Sequence, residues 1–287
     1  MKILLTGADG FTGSHFTKYA FAAGHIVVGV STNLLDRDRL AAEILETEAD
    51  AVLHLAAISF VGHTNANAFY DVNVIGTLNL LDALAAMPRS PQRILLASSA
   101  NVYGNCNQSP ISEDQTPAPV NHYAMSKLSM EYMARNYIKK LPLFFSRPFN
   151  YTGPGQTESF LIPKLVAHFA QRAPVVELGN LEVEREFNDV RFVCDAYVKL
   201  LEKGEAGEVY NICTGETVTL KLIIELLSKI SGHTLEVKVN PNFVRTNEVH
   251  RLCGLPTKLE KCIGVSVHPS LEATLRWMLN AAKQYSQ

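Results

Sequence analysis

Tyr123 and Lys127, in the run "HYAMSK", stand four residues apart. On a helix that spacing places both on one face. A lysine ammonium so placed can lower the pKa of the phenol, whose ordinary value of about 10 makes it a poor acid–base group at neutral pH. The tuned phenol could then pass a proton to or from an alcohol or carbonyl oxygen. Alone, the same pair is what any solvated helix offers. A second component is "LLASSANVYG" (95–104), where an apolar run ends in two hydroxyls, Ser98 and Ser99, followed by Ala100 and Asn101. In open α/β sheets ligands sit beyond the carboxyl ends of strands. Ser99 is therefore placed to hydrogen-bond a reacting oxygen, and Ser98 reads as a structural strand-end hydroxyl. The third component is "LLTGADGFTG", which sets Gly7, Gly10 and Gly13 three apart, with Phe11 and Thr12 between the last two. Such a turn lets the backbone approach a diphosphate closely, and the helix that follows presents free N–H groups to it.

These groups need a scaffold that brings them to one edge. The first half alternates apolar runs ("KILLTG", "HIVVGV", "AVLHLAA", "RILLASS", "LPLFFSRPFN") with helical spacings ("FTGSHFTKYAFAAG", "FYDVNVIGTLNLLDALAAM", "YAMSKLSMEYMARNYIKK"). That pattern predicts βαβ units and an α/β fold with a doubly wound parallel sheet, its strands buried on both faces. After about residue 150 the texture changes: the turn cluster "YTGPGQ", a helix in "FLIPKLVAHFAQRA", and shorter mixed elements. Residues 1–150 are expected to form a dinucleotide-binding domain. Residues 151–287 are expected to form mainly a smaller α+β substrate domain, returning to the sheet near 186–215.

Composition narrows the partners. The 287 residues are 47% hydrophobic and 19% charged, with a formal net charge of −2. No field of that size gathers nucleic acid or anionic lipid, so neither is expected as a partner. Five scattered cysteines (Cys106, Cys194, Cys213, Cys253, Cys262) without a C-x-x-C argue for reduced thiols and no metal site. With no signal-like or membrane-spanning run, the expectation is a soluble cytoplasmic protein.

The G-x-x-G-x-x-G spacing, the strand-end serine and the Tyr-x-x-x-Lys helix together resemble the extended short-chain dehydrogenase/reductases, the nucleotide-sugar epimerases, dehydratases and reductases. The resemblance implies a Rossmann-type domain and a Ser99, Tyr123, Lys127 triad. It implies a cofactor held by Gly7, Gly10, Phe11, Thr12, Gly13, Tyr123 and Lys127, and by Leu55, Ala56 and Ala57 in "DAVLHLAA" (50–57), which is similar to the family's fourth strand. NAD-binding members usually carry an acid at the end of the second strand; here "VVGVSTN" offers Ser31 and Thr32. Hydroxyls tolerate a 2′-phosphate, and Arg37 or Arg39 either pairs with it or forms a solvated helix face. NADP(H) is thus favoured, with NAD(H) possible.

The 4,6-dehydratases of the family follow their threonine with acids that remove the C5 proton. Ala100 and Asn101 cannot do so, which leaves reduction or 4-epimerisation. Likeness in "SRPFNYTGPGQ", "REFNDV" and "FVRTNEVHR" implies a sugar-nucleotide substrate, GDP-linked by closest similarity and a 4-keto-6-deoxy-hexose. Its site would draw on Ser59, Phe60, Ser99, Asn150, Arg185, Arg245 and Glu248. Glu186 stands where the family usually has aspartate, and His122 where proline commonly precedes the tyrosine. Non-catalytic members that serve as regulators typically lose the tyrosine or lysine, and both are present. Met130, Met133 and Tyr137 form a stripe that either awaits a partner subunit or faces its own sheet. With the family's habit of pairing this helix, it suggests a homodimer.

Overall fold

Short runs of leucine, isoleucine and valine make six strands of a wholly parallel sheet. In this computed structural model, which describes residues 1–241, 250–266 and 268–284, they are β1 (Lys2–Thr6), β2 (Ile26–Gly29), β3 (Ala51–His54), β4 (Arg93–Ala97), β5 (Leu143–Pro148) and an edge strand, Val209–Ile212. The order across the sheet is β2-β1-β3-β4-β5 and then Val209–Ile212. The order reverses between β1 and β3, the point where doubly wound sheets open a crevice at their carboxyl ends. Run 50–57, similar in sequence to the family's fourth strand, is the third strand of this chain, because only a helix lies between β2 and it.

Helices α1 (Phe11–Ala22) and α7 (Val190–Lys203) cover one face, and α2 (Arg37–Thr47), α4 (Thr77–Ala85) and α5 (His122–Ala134) cover the other. Successive strand residues feed opposite cores: Ile3 and Leu5 face α1 and α7, whereas Leu4 faces α2 and α4. The strands therefore read as continuous apolar runs rather than alternating ones. A third core joins α6 (Leu161–Ala170), α8 (Leu220–Ser231) and α10 (Leu271–Gln284) with the paired strands Val175–Leu178 and Glu236–Val239. The short α9 (Thr257–Ile263) packs beside α7.

Three contacts pin α10 to the sheet domain. The Thr274 hydroxyl donates to Asp189 at 2.6 Å, and the Arg191 guanidinium lies 4.2 Å from the centre of the Trp277 ring. The Trp277 ring also meets His15 of α1 edge-on at 5.6 Å. Asp189 caps α7 and takes both arms of Arg191. All five cysteines are unpaired, and no helix among the described residues is long and apolar enough to cross a membrane.

One sequence expectation changes here, and one that stood between two alternatives takes the second. The long helix expected through "FYDVNVIGTLNLLDALAAM" is divided into α3 (Ala66–Tyr70), a π-helical turn (Asp71–Gly76) and α4. The widened turn buries Asn73, whose side chain both accepts from Ile58 N and donates to Ile58 O, fixing the loop after β3. The Met130 stripe faces its own sheet: Met130 is fully buried between α5 and the strands, and Met133 and Tyr137 pack against the same core. The apolar side chains of α5 left exposed are Met125 and Tyr132.

Candidate active site

The turn after β1 is shaped by close backbone approach. Gly7 has φ +73° and lies against the chain at Ala56; a Cβ on it would sit 2.8 Å from Ala56 N. A Cβ on Gly13 would be 2.1 Å from Gly7 O, so neither position accepts a side chain. Gly10 is the N-cap of α1, provides no capping side chain, and no acid follows in the first turn. The first amides of α1 are thus left for an anion. This cradle fits the diphosphate of a dinucleotide.

Beneath it runs a row of buried polar groups. Thr6 Oγ1 accepts from Ala56 N at 3.1 Å and shares a hydrogen bond with His54 Nδ1 at 2.6 Å. His54 Nε2 shares another with Thr77 at 2.8 Å, and Thr77 donates to Asn73 O. Burial, with a smaller push from the Lys127 charge, lowers the His54 pKa to about 3, so the ring is neutral. The row fixes Leu55–Ala57 against Gly7. On the other side Phe11 stacks on Tyr151 with ring centres 6.2 Å apart, and Thr12 Oγ1 shares a 2.8 Å hydrogen bond with the Tyr151 hydroxyl.

The acid–base group assembles where β4 ends and α5 begins. Asn121 caps α5 by accepting from Ala124 N at 2.8 Å, which sets Tyr123 in the first turn. Burial raises the Tyr123 pKa, and a hydrogen bond with Ser99 opposes that rise. Ser99 Oγ in turn accepts from both the backbone N and the side-chain Nδ2 of Asn101, each at 3.2 Å. Its own proton is left to donate. Ser98 hangs from a backbone bond to Ser146 O at 2.7 Å, and its buried hydroxyl has no hydrogen-bond partner among the described residues.

Lys127 donates to the carbonyl oxygen of Ala97 at 2.8 Å, and burial lowers its pKa to about 8 while the Glu131 charge opposes. In this arrangement the Ser99 hydrogen bond opposes the rise at Tyr123, and the Lys127 ammonium is directed to Ala97 O. One turn on, Glu131 receives two hydrogen bonds from Arg147 of β5, at 2.9 and 2.7 Å, and Arg147 also donates to the Tyr103 hydroxyl at 3.1 Å. Both partners of this ion pair are buried. It locks the rotation of α5 about its axis, and with it the aim of Tyr123 and Lys127.

At the end of β2, Ser31 and Thr32 surround a carboxylate. Glu43 of α2 accepts from Ser31 N at 2.8 Å, Ser31 Oγ at 2.9 Å and Thr32 N at 2.9 Å. Arg37 is paired with Asp82 at 3.1 Å and Arg39 with Asp36 at 3.5 Å.

The substrate side is less closely knit. Ser59 is exposed on the loop after β3, and Phe60 meets Phe160 edge-on at 5.8 Å. Asn150 follows β5, and its carbonyl accepts from Asn188 N at 2.9 Å. Arg185 lies on a short strand between Val218–Thr219 and Arg251–Leu252 and donates to Glu184 O. Its neighbour Glu186 is buried and accepts from Thr214 N, Gly254 N and Asn188 Nδ2 at 2.9, 2.6 and 3.1 Å. Burial raises the Glu186 pKa and those donors oppose it; the carboxylate ties three loops together. Arg245 and Glu248 lie outside the described residues.

Sequence reasoning missed His54, Asn73, Glu43, Glu131 and Arg147 as parts of this arrangement. Of these, His54 gave a signal: a lone polar side chain inside the apolar run "AVLHLAA".

Comparison with known proteins identifies the family. Residues 3–213 match the family described as "NAD dependent epimerase/dehydratase family". The chain is 37% identical over 269 residues to the GDP-6-deoxy-D-talose 4-dehydrogenase of Aggregatibacter actinomycetemcomitans, covering 92% of each. It is 35% identical over 299 residues to the GDP-6-deoxy-D-mannose reductase of Pseudomonas aeruginosa, covering 97% of this chain and 96% of the relative. The solved structure of RMD from Pseudomonas aeruginosa complexed with NADPH superposes with a TM-score of 0.92 at 34% identity, covering 99% of each chain. With a dinucleotide cradle, a Tyr-x-x-x-Lys helix and a strand-end serine on such a frame, the chain belongs to the NAD dependent epimerase/dehydratase family and is an NAD(P)-dependent enzyme of the extended short-chain dehydrogenase/reductase type.

Proposed function

We propose that the protein is a reductase of the 4-keto group of a GDP-linked 6-deoxy-hexose. Both relatives described above are named for oxidation or reduction of a GDP-6-deoxy-hexose, and each is matched over more than nine-tenths of this chain. The observation that carries the reading is the pair Ser99–Asn101. It supplies a hydrogen-bond donor for a carbonyl oxygen, and no carboxylate occupies positions 100 or 101 to take a proton from carbon.

A nicotinamide cofactor held on Gly7, Gly10 and Gly13 supplies hydride when bound. The chain's own work is to bind, aim and protonate. Ser99 donates to the C4 oxygen of the substrate and holds it beside the Tyr123 phenol, which gives that oxygen its proton. Lys127, which donates to Ala97 O, keeps a positive charge near the phenol as its proton leaves, and would also reach the nicotinamide ribose. Asn150 and Arg185 are assigned to the nucleotide diphosphate, and Ser59 and Phe60 to the sugar. Arg245 and Glu248 are assigned to the phosphates and the nucleotide ribose on sequence likeness. Exposed Met125 and Tyr132 of α5 support a homodimer that pairs this helix with its mate.

A 4-epimerase using the same triad is the second reading. Glu43 favours it, because an acid at the adenosine end helps an enzyme that gains by retaining its cofactor. The test is product analysis after incubation with GDP-4-keto-6-deoxy-D-mannose and NADH or NADPH. Stoichiometric cofactor oxidation with a 6-deoxy-hexose product supports the reductase and resolves its face of attack. Conversion of a GDP-6-deoxy-hexose bearing a 4-hydroxyl into its C4 epimer with no net cofactor turnover, and nucleotide released only on denaturation, supports the epimerase.

A further inference from the structure

The carboxylate at the end of β2 is an anion in a place built to hold one. Two consecutive backbone N–H groups, Ser31 and Thr32, and the Ser31 hydroxyl converge on Glu43 within 2.8–2.9 Å. Successive amides so arranged make an anion-binding concavity. In a doubly wound sheet the carboxyl end of the strand next to the glycine turn is where the adenosine ribose of a bound dinucleotide lies. The anion that NADP would bring there is its 2′-phosphate.

The protein fills the concavity with its own charge. Although burial pushes the Glu43 carboxyl up, the Ser31 and Thr32 donors hold its pKa down at about 2, so it is ionised across the working range. Arg37 and Arg39, the cations the sequence offers for that phosphate, lie on the surface beside Asp82 and Asp36. An incoming phosphate would have to displace the Glu43 carboxylate from the amides. A ribose hydroxyl, by contrast, can donate to a carboxylate.

We propose that Glu43 selects the cofactor: it stands in the place of the 2′-phosphate and makes the chain prefer NADH to NADPH. The proposal rests on the dinucleotide reading of the cradle and reverses the preference expected from Ser31 and Thr32 alone. The acid absent from the end of β2 is delivered from α2 instead.

The experiment is equilibrium binding of NADH and NADPH, followed by nicotinamide fluorescence, to the wild-type protein and to Glu43→Gln and Glu43→Ala. Thermal melts of each variant verify that it is folded. The expected result is a lower Kd for NADH than for NADPH in the wild type. The ratio should move toward NADPH by about tenfold or more in the variants, further in Glu43→Ala, where the amides are freed for the phosphate. Wild-type preference for NADPH, or a ratio that moves less than about twofold in both folded variants, overturns the proposal. Failure of the wild type to bind either dinucleotide would instead bring down the cofactor reading on which it stands.

Discussion

Asn101 donates twice to the same atom: its backbone N and its Nδ2 each lie 3.2 Å from Ser99 Oγ. The serine's lone pairs are therefore engaged, and its proton is directed away from Asn101, toward Tyr123 and the space a substrate carbonyl would occupy. An aspartate side chain at this place could only accept, and would draw that proton toward itself. Asn101→Asp should lower kcat about tenfold or more while leaving cofactor affinity within a few-fold. Steady-state rates with a parallel binding titration check it.

Tyr123→Phe removes one hydroxyl from a buried ring in the first turn of α5. Turnover should drop to a few per cent of wild type or less, with cofactor Kd changed only a few-fold. A variant retaining more than about a tenth of kcat would exclude the phenol as proton donor.

Lys127 imposes a pH dependence on stability. Its pKa falls from 10.5 in the unfolded chain to about 8 in the fold. Between those values the unfolded state binds more protons at this group, so its contribution to stability rises as pH increases from about 8 toward about 10.5. Below pH 8 the burial cost of the charge is carried in full. Thiols and phenols whose pKa values burial raises, Cys194 and Tyr19 among them, pull the other way in this range. The Lys127 contribution is therefore read as a difference. In urea unfolding of the cofactor-free protein at a series of pH values, the wild type should gain stability relative to Lys127→Met from about pH 8 upward.

Glu131 and Arg147 form a buried, two-pronged ion pair. Removing one partner strands the other's charge away from water. Glu131→Gln should destabilise by about 3–5 kcal/mol, read as a shift in the denaturant midpoint. Because α5 would lose its rotational lock, kcat in the remaining folded protein should also fall.

Tyr132 is 62% exposed and Met125 41% exposed on the outer side of α5. Tyr132→Glu should convert a dimer into a monomer, seen by sedimentation at micromolar concentration. An active wild-type protein that sediments as a clean monomer would remove the basis for the interface.

What the sequence made legible were the features set by neighbours along the chain. Gly7, Gly10 and Gly13 sit on one turn, and Tyr123 and Lys127 on one helix face, so spacing alone places them. The strand runs were readable because both faces of the sheet are covered. The stripe on α5 stayed ambiguous because that helix buries Lys127 and Glu131 as well as its apolar residues. Hydrophobic periodicity cannot see charged groups on an inward face, so it left open whether Met130 meets a partner or its own core. The π-helical turn was hidden because its cause, Asn73 reaching Ile58, is a contact between elements. Glu43 escaped for the same reason: nothing in "AAEILET" announces that one carboxylate reaches the end of β2.

The bracing of α1 by α10 has a bearing on how the molecule is made. His15 and Trp277 lie nearly the whole sequence apart, yet their rings touch, and Arg191 and Asp189 hold the tryptophan's helix in place. The helix that braces α1 is contributed by a segment remote in sequence, so the brace forms only once the chain has closed over that distance. Before that closure the sheet can pair, but α1 lacks its outer support. Trp277→Ala would accordingly loosen α1 while sparing every residue assigned to cofactor or substrate.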